Sequence, residues 1–180
     1  TMDGLQVIRF PYFFRRWENL ATHSGGILNI LQTNPLNYFL VPLFLFGELT
    51  ALIRLMREKR FDLIHAHWLI PQGFIAVLAL TWFHRQIPLL CTSHGGDLFA
   101  LHSKIFQAAK KWTVKQSQAL TVVSRAMERM VVDMGVAPDK VHVISMGVDL
   151  KHRFTPDPKI EHNLNEIIFV GRLVEKKGLQ

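Results

Sequence analysis

A single cysteine among 180 residues, Cys91, excludes a disulfide within the chain. Its place in an apolar run suits a reducing compartment, and a cytoplasmic setting is expected. Acidic residues are scarce too, 14 against 21 lysines and arginines, leaving a net charge of +7. That deficit biases the surface toward anionic surfaces or phosphorylated ligands. Zinc-finger spacing, RNP sequences and basic recognition helices are all missing, and the cations are scattered apart from Arg57–Arg60 and Lys110–Lys115. Nucleic acid is therefore not an expected partner. No signal-peptide pattern, internal repeat or low-complexity tract is visible. An uninterrupted apolar run of the roughly 20 residues that span a bilayer is also lacking. The strictly apolar core Tyr38–Phe46 is interrupted by Pro42 and soon followed by Glu48.

What is present is a chain 49% hydrophobic and 19% charged, the balance of a globular protein. Apolar strand-like runs alternate with helical stretches. "LQVIRF" (Leu5–Phe10) reads as a strand, and a helix is expected from about Leu36 to Lys59 with a break near Pro42. A strand follows from Phe61 to about His65, then a helix with Pro71 in its first turn. Pro88–Cys91 is the next strand, "SKIFQAAKKWTVKQ" a helix, "ALTVV" a strand, and Ser124 the N-cap of a helix stopped at Gly135. "KVHVI" and "EIIFVGR" complete the series. This alternation predicts an α/β fold with a doubly wound parallel sheet. The expected division is a domain over 1–154, a linker over 155–165 rich in proline and polar residues, and the first strand and loop of a truncated second domain over 166–180.

Chemistry gathers where "PLLCTSHGGDLFAL" passes from strand to loop, because ligands of open α/β sheets bind outside the carboxyl ends of the strands. His94 stands just past such an end, followed by Gly95, Gly96 and Asp97. Each piece has a plainer reading: a satisfied structural histidine, a glycine turn, a helix cap. His65 and His67 are two apart and so share one face of a strand, a spacing that permits metal binding. A metal-dependent hydrolase would recruit His94 and Asp97, but its eight-stranded barrel needs about 250 residues. Arg172 and Lys177 in "VGRLVEKKG" bracket a helix start, an arrangement that suits a diphosphate. Asn37–Arg60 suits either a helix packed on a sheet with a solvated basic end or a basic amphipathic helix lying on a membrane.

In order, "FDLIHAHWLIPQG", "TSHGGDLF", "LTVVSRAM", "VISMGVDLKHRF" and "IIFVGRLVEKKG" strongly resemble the family 4 retaining glycosyltransferases of GT-B architecture. The resemblance implies two Rossmann-like domains, this chain carrying mostly the acceptor-side one. It implies transfer of a hexosyl group from a nucleotide diphosphate sugar to a carbohydrate or lipid-linked acceptor with retained configuration, without a cofactor or metal. It makes His94 and Asp97 the catalytic candidates, with Gly95, Gly96, Ser124, His65 and His67 in the cleft loops. Arg172 and Lys177 would bind the donor diphosphate. The family's glycine-rich first loop and its later Glu-x7-Glu element are not found, so the 180-residue chain is expected to be inactive alone. A different class of reading, a non-catalytic module binding carbohydrate or a membrane surface, stands beside this one.

Overall fold

The apolar run at the heart of each expected strand finds a neighbour on the next, and together they form one parallel sheet. In the computed structural model, which describes residues 4–20, 27–84, 86–157, 159 and 165–171, the strands are β1 (Ile64–His67), β2 (Leu89–Ser93), β3 (Ala119–Val122) and β4 (Val141–Val143). Their spatial order is β1-β2-β3-β4, with Ala66 beside Cys91, Cys91 beside Leu120 and Leu120 beside Val141.

Parallel neighbours require crossovers, and helices supply them. The helices are α1 (Ile27–Thr33), α2 (Leu40–Glu58), α3 (Phe74–Trp82), α4 (Gly96–Phe99), α5 (Lys104–Gln116) and α6 (Arg125–Asp133). One sheet face, with Leu89, Cys91, Leu120, Val122 and Val141, packs on Ala76 and Val77 of α3, Val114 of α5 and Met127 and Val131 of α6. The result is a four-stranded parallel sheet with flanking helices, an α/β Rossmann-like fold.

Alternation along the strands sends the opposite set to the other face. His65, His67, Thr92 and Thr121 lie there, and both histidines are exposed. This polar face carries the side chains from which the candidate site is built.

Several boundaries differ from expectation. Leu5–Phe10 is not a strand, and Leu5, Val7 and Ile8 are exposed. Only Leu5 makes an isolated bridge, and an extended apolar segment becomes a strand only with a continuous ladder. This one instead leads into an aromatic cluster, Phe10 and Tyr12 each placing a ring 5.3 Å from Phe44 of α2. Pro42 does not break α2, because it falls in the first turn, where its missing N–H costs no helical bond. A 3-10 turn, Pro35–Phe39, precedes α2, so Pro35–Glu58 forms 24 helical residues, long and apolar enough by length and composition to cross a membrane. The helix packs against α3 and buries Leu40, Phe44, Gly47 and Met56.

β1 begins at Ile64 rather than Phe61, and Phe61, Asp62 and Leu63 are exposed. Pro71 lies in a wide turn, Leu69–Gly73, ahead of α3. The lysine run at 110–115 is split: Lys110 is fully buried whereas Lys111 and Lys115 point to solvent.

The first compact unit ends at Met146, eight residues before the expected domain end, and the second spans Gly147–Gln180. In the second, Asp149 Oδ1 accepts hydrogen bonds from the amides of Lys151 and His152, closing a turn. The expected strand "EIIFVGR" is not formed over its described residues, and Ile167 is 98% exposed. A β-branched run without a pairing neighbour has no ladder to join.

Candidate functional site

The site is assembled at the carboxyl ends of β1 and β2. β2 ends at Ser93, and the chain turns through Gly95, whose φ of +96° favours glycine, into the single turn of α4. Asp97 fixes that turn. Its side chain is only 4% exposed; Oδ1 accepts from the Ser93 hydroxyl at 2.8 Å and Oδ2 from the Leu69 amide at 2.6 Å. One carboxylate thus ties the loop after β2 to the loop after β1. Such charge-assisted bonds in a buried place are strong and leave little freedom. Asp97, expected as a catalytic group, has both oxygens committed to the fold.

His94 is half-buried beside this anchor. Its Nε2 lies 3.0 Å from Nδ1 of His67, so one of the two nitrogens carries the hydrogen and the other receives it. The two rings stack at 5.3 Å with 16° between planes, and the His65 ring lies 4.3 Å from that of His67. His65 continues the polar chain across the sheet, Nε2 to Thr92 Oγ1 at 2.7 Å and Thr92 Oγ1 to Thr121 Oγ1 at 2.6 Å. Partial burial lowers the His67 pKa from 6.5, and the neighbouring His65 and His94 lower it further. His67 is thereby biased toward its neutral form, which can both give and take a hydrogen bond.

Among the described residues no three of His, Cys, Asp and Glu gather in a metal-holding arrangement. His67 and His94 instead bond to each other, and Asp97 bonds to Ser93 and Leu69. Cys91 is buried, its thiol pushed up to about 11 chiefly by burial, so it is no nucleophile near neutrality. A hollow of about 380 Å³, lined by Val77, Ile87, Gln116 and Gln118 among others, opens beside the other end of β2. It collects no ionisable group among its described lining, whereas the carboxyl-end rim has three histidines.

Ser124 sits where expected, its Oγ capping α6 by accepting from the Met127 amide at 3.4 Å. Gly135, with φ +88°, follows the end of that helix. Arg172 and Lys177 lie outside the described residues.

The model of the family described as Glycosyltransferase Family 4 matches residues 9–152, most of the chain and every site residue just placed. The chain belongs to glycosyltransferase family 4. No curated protein matches it.

Sequence reasoning missed several residues of this candidate site in the family 4 domain. Lys110 is the least expected: its ammonium donates to the Leu98 carbonyl at 3.0 Å and to the Ala100 carbonyl, holding the exit of α4. Burial lowers its pKa and Asp97 partly offsets this. The signal was the helical period, since Lys110, Thr113, Val114 and Ser117 form one buried stripe at i, i+3, i+4 and i+7. Thr92 and Ser93 lay beyond the expected strand Pro88–Cys91 and entered only within "TSHGGDLF", and Trp68 only within "FDLIHAHWLIPQG". Gly96 proved necessary for a reason other than backbone freedom: a Cβ there would stand 2.9 Å from Trp68 Cζ3.

Proposed function

We propose that this chain forms the acceptor-side part of a retaining glycosyltransferase that moves a hexosyl group from a nucleotide diphosphate sugar to a carbohydrate or lipid-linked acceptor. The observation that carries this reading is the placement of His94, half-buried at the carboxyl end of β2, paired to His67 and backed by a loop that Asp97 locks. In the reaction, the bond from the sugar C1 to the diphosphate breaks, a bond from C1 to an acceptor hydroxyl oxygen forms, and the hydroxyl proton leaves with the diphosphate. His94 hydrogen-bonds the donor sugar beside the reacting carbon. Asp97 acts as a positioning residue, and Arg172 and Lys177 would stabilise the charge growing on the leaving diphosphate. No cofactor or metal enters this scheme.

The test is turnover of a panel of nucleotide diphosphate hexoses by the complete protein and its His94→Ala variant. Loss of more than about tenfold is expected, with an unchanged circular dichroism spectrum. Turnover near that of the wild type would remove His94 from the mechanism. Arg172→Ala and Lys177→Ala are expected to weaken donor use, and unchanged donor KM and kcat in both would contradict the diphosphate assignment.

A second reading, contact with the inner face of a membrane in a cytoplasmic setting, is favoured by the outer face of α2. Phe39, Pro42 and Phe46 are exposed along one stripe, which continues through Thr50 to exposed Arg54 and Arg57. Apolar side chains and cations on one face suit an anionic lipid surface. Co-sedimentation with phosphatidylglycerol vesicles, lost at high salt or in Phe46→Glu, is the expected result. Absence of binding would leave the stripe a plain protein surface.

A further inference from the structure

Trp68 follows β1 directly and adopts φ +80°, a conformation that a bulky residue holds only under constraint from its surroundings. The constraints are visible. Its amide donates to the Thr92 carbonyl at 2.7 Å, its carbonyl accepts from the Gly73 amide at 3.0 Å, and the next amide, Leu69, is bound by Asp97. Gly96 has no Cβ and so leaves room for the far edge of the indole. All this holds a large aromatic ring that is not buried: Trp68 is 41% exposed, and among the described residues no acceptor pairs with its indole N–H. The His94 ring lies 5.4 Å away, tilted by 46°.

A strained backbone, a glycine clearance and an anchoring carboxylate spent on a half-exposed ring are not explained by core packing. They are explained by a flat ligand that the ring must meet. A pyranose has one such face, made of C–H groups, and a rim of hydroxyls. The indole offers an apolar surface to the first and an N–H donor to the second. We propose that Trp68 is a stacking platform for a pyranose ring, seating it beside His94. This rests on the reading of the site as one that handles sugars and names the residue that grips the ring. Asp97 then has a double duty, since the same carboxylate fixes the loop of His94 and the turn that presents Trp68.

The experiment is saturation-transfer NMR titration of the complete protein with methyl glucopyranoside, galactopyranoside and mannopyranoside, using wild type, Trp68→Phe and Trp68→Leu. At least one hexoside is expected to bind the wild type. Trp68→Phe should retain it within a few-fold, and Trp68→Leu should lose about tenfold, the scale of one aromatic stacking contact. Binding by Trp68→Leu equal to wild type, or no hexoside binding by the wild type, overturns the platform. Should Trp68→Leu fail to fold, Gly96→Ala displaces the ring instead and is expected to weaken binding equally; unchanged binding there overturns the proposal. Sugar transfer from nucleotide diphosphate hexoses is assayed in parallel. Transfer with an acceptor KM indifferent to Trp68 would sink the platform and leave the transferase reading intact. Hexoside binding that depends on Trp68 without transfer from any donor would do the reverse.

Discussion

At the rim of the sheet Asp97 sets both carboxylate oxygens on donors, the Ser93 hydroxyl and the Leu69 amide, whereas midway along α2 the half-buried Glu48 turns a buried Oε2 toward no donor. Burial pushes the Glu48 pKa up to about 7. The two acids show what burial alone does and what burial with partners does. With no donor on Oε2, the Glu48 carboxyl retains its proton toward neutrality; with a donor on each oxygen, Asp97 serves as a structural bracket. The fold places its donors at the carboxyl-end rim and leaves α2 to apolar packing.

The comparison breaks most visibly at Asp97. Asp97→Ala is expected to destabilise the protein by about 3 kcal/mol, because the buried Leu69 amide and Ser93 hydroxyl each lose an acceptor. Asp97→Asn is expected to cost less, about 2 kcal/mol, since the amide oxygen still serves one donor. Urea titration measures both, and a cost below about 1 kcal/mol for Asp97→Ala would show that the bracket is not needed.

Glu48 carries the next largest effect, and its sign depends on pH. Between the ordinary value of 4.5 and about 7, the folded state holds a proton that the unfolded chain has released. Stability therefore falls as pH rises through that window and levels off above it. Glu48→Gln mimics the protonated acid, so it should match the wild type at pH 4 and be more stable by about 1–3 kcal/mol at pH 8. Equal stability at pH 8 would mean that the carboxylate finds a partner in solution.

How much of this was legible follows from the kind of signal each residue leaves. The sheet was, because short apolar runs beside glycine and proline mark buried strands, and β2, β3 and β4 fall within a few residues of expectation. His94, the glycines and the Ser124 cap were legible because their types are unusual at strand ends. Leu5–Phe10 misled because alternation describes a segment's faces and not its partners. Trp68 and Lys110 were hidden for opposite reasons. An aromatic in an apolar block looks like core, and a lysine in a basic run looks like surface. Only the tertiary fold sets one beside His94 and draws the other beneath Leu98 and Ala100. Asp97 was noticed, but its sequence position cannot reveal that its second partner is an amide 28 residues away.

The smallest expected effect sharpens the same contrast within the rim. His67 is lowered from 6.5 first by burial and then by His65 and His94, so it departs from its ordinary value as Glu48 does, by losing water. The folded state favours neutral His67, and the stability this contributes is present above pH 6.5 and is lost as pH falls below that value. Proton NMR of the imidazole Cε1–H should place its midpoint below 6.5 in the wild type. Because burial is the leading cause, His65→Asn and His94→Asn should each recover only part of the shift. If either restored the ordinary midpoint, repulsion among the three rings would be the dominant cause. The histidine cluster would then be governed by its neighbours, unlike Glu48, which is governed by the loss of solvent.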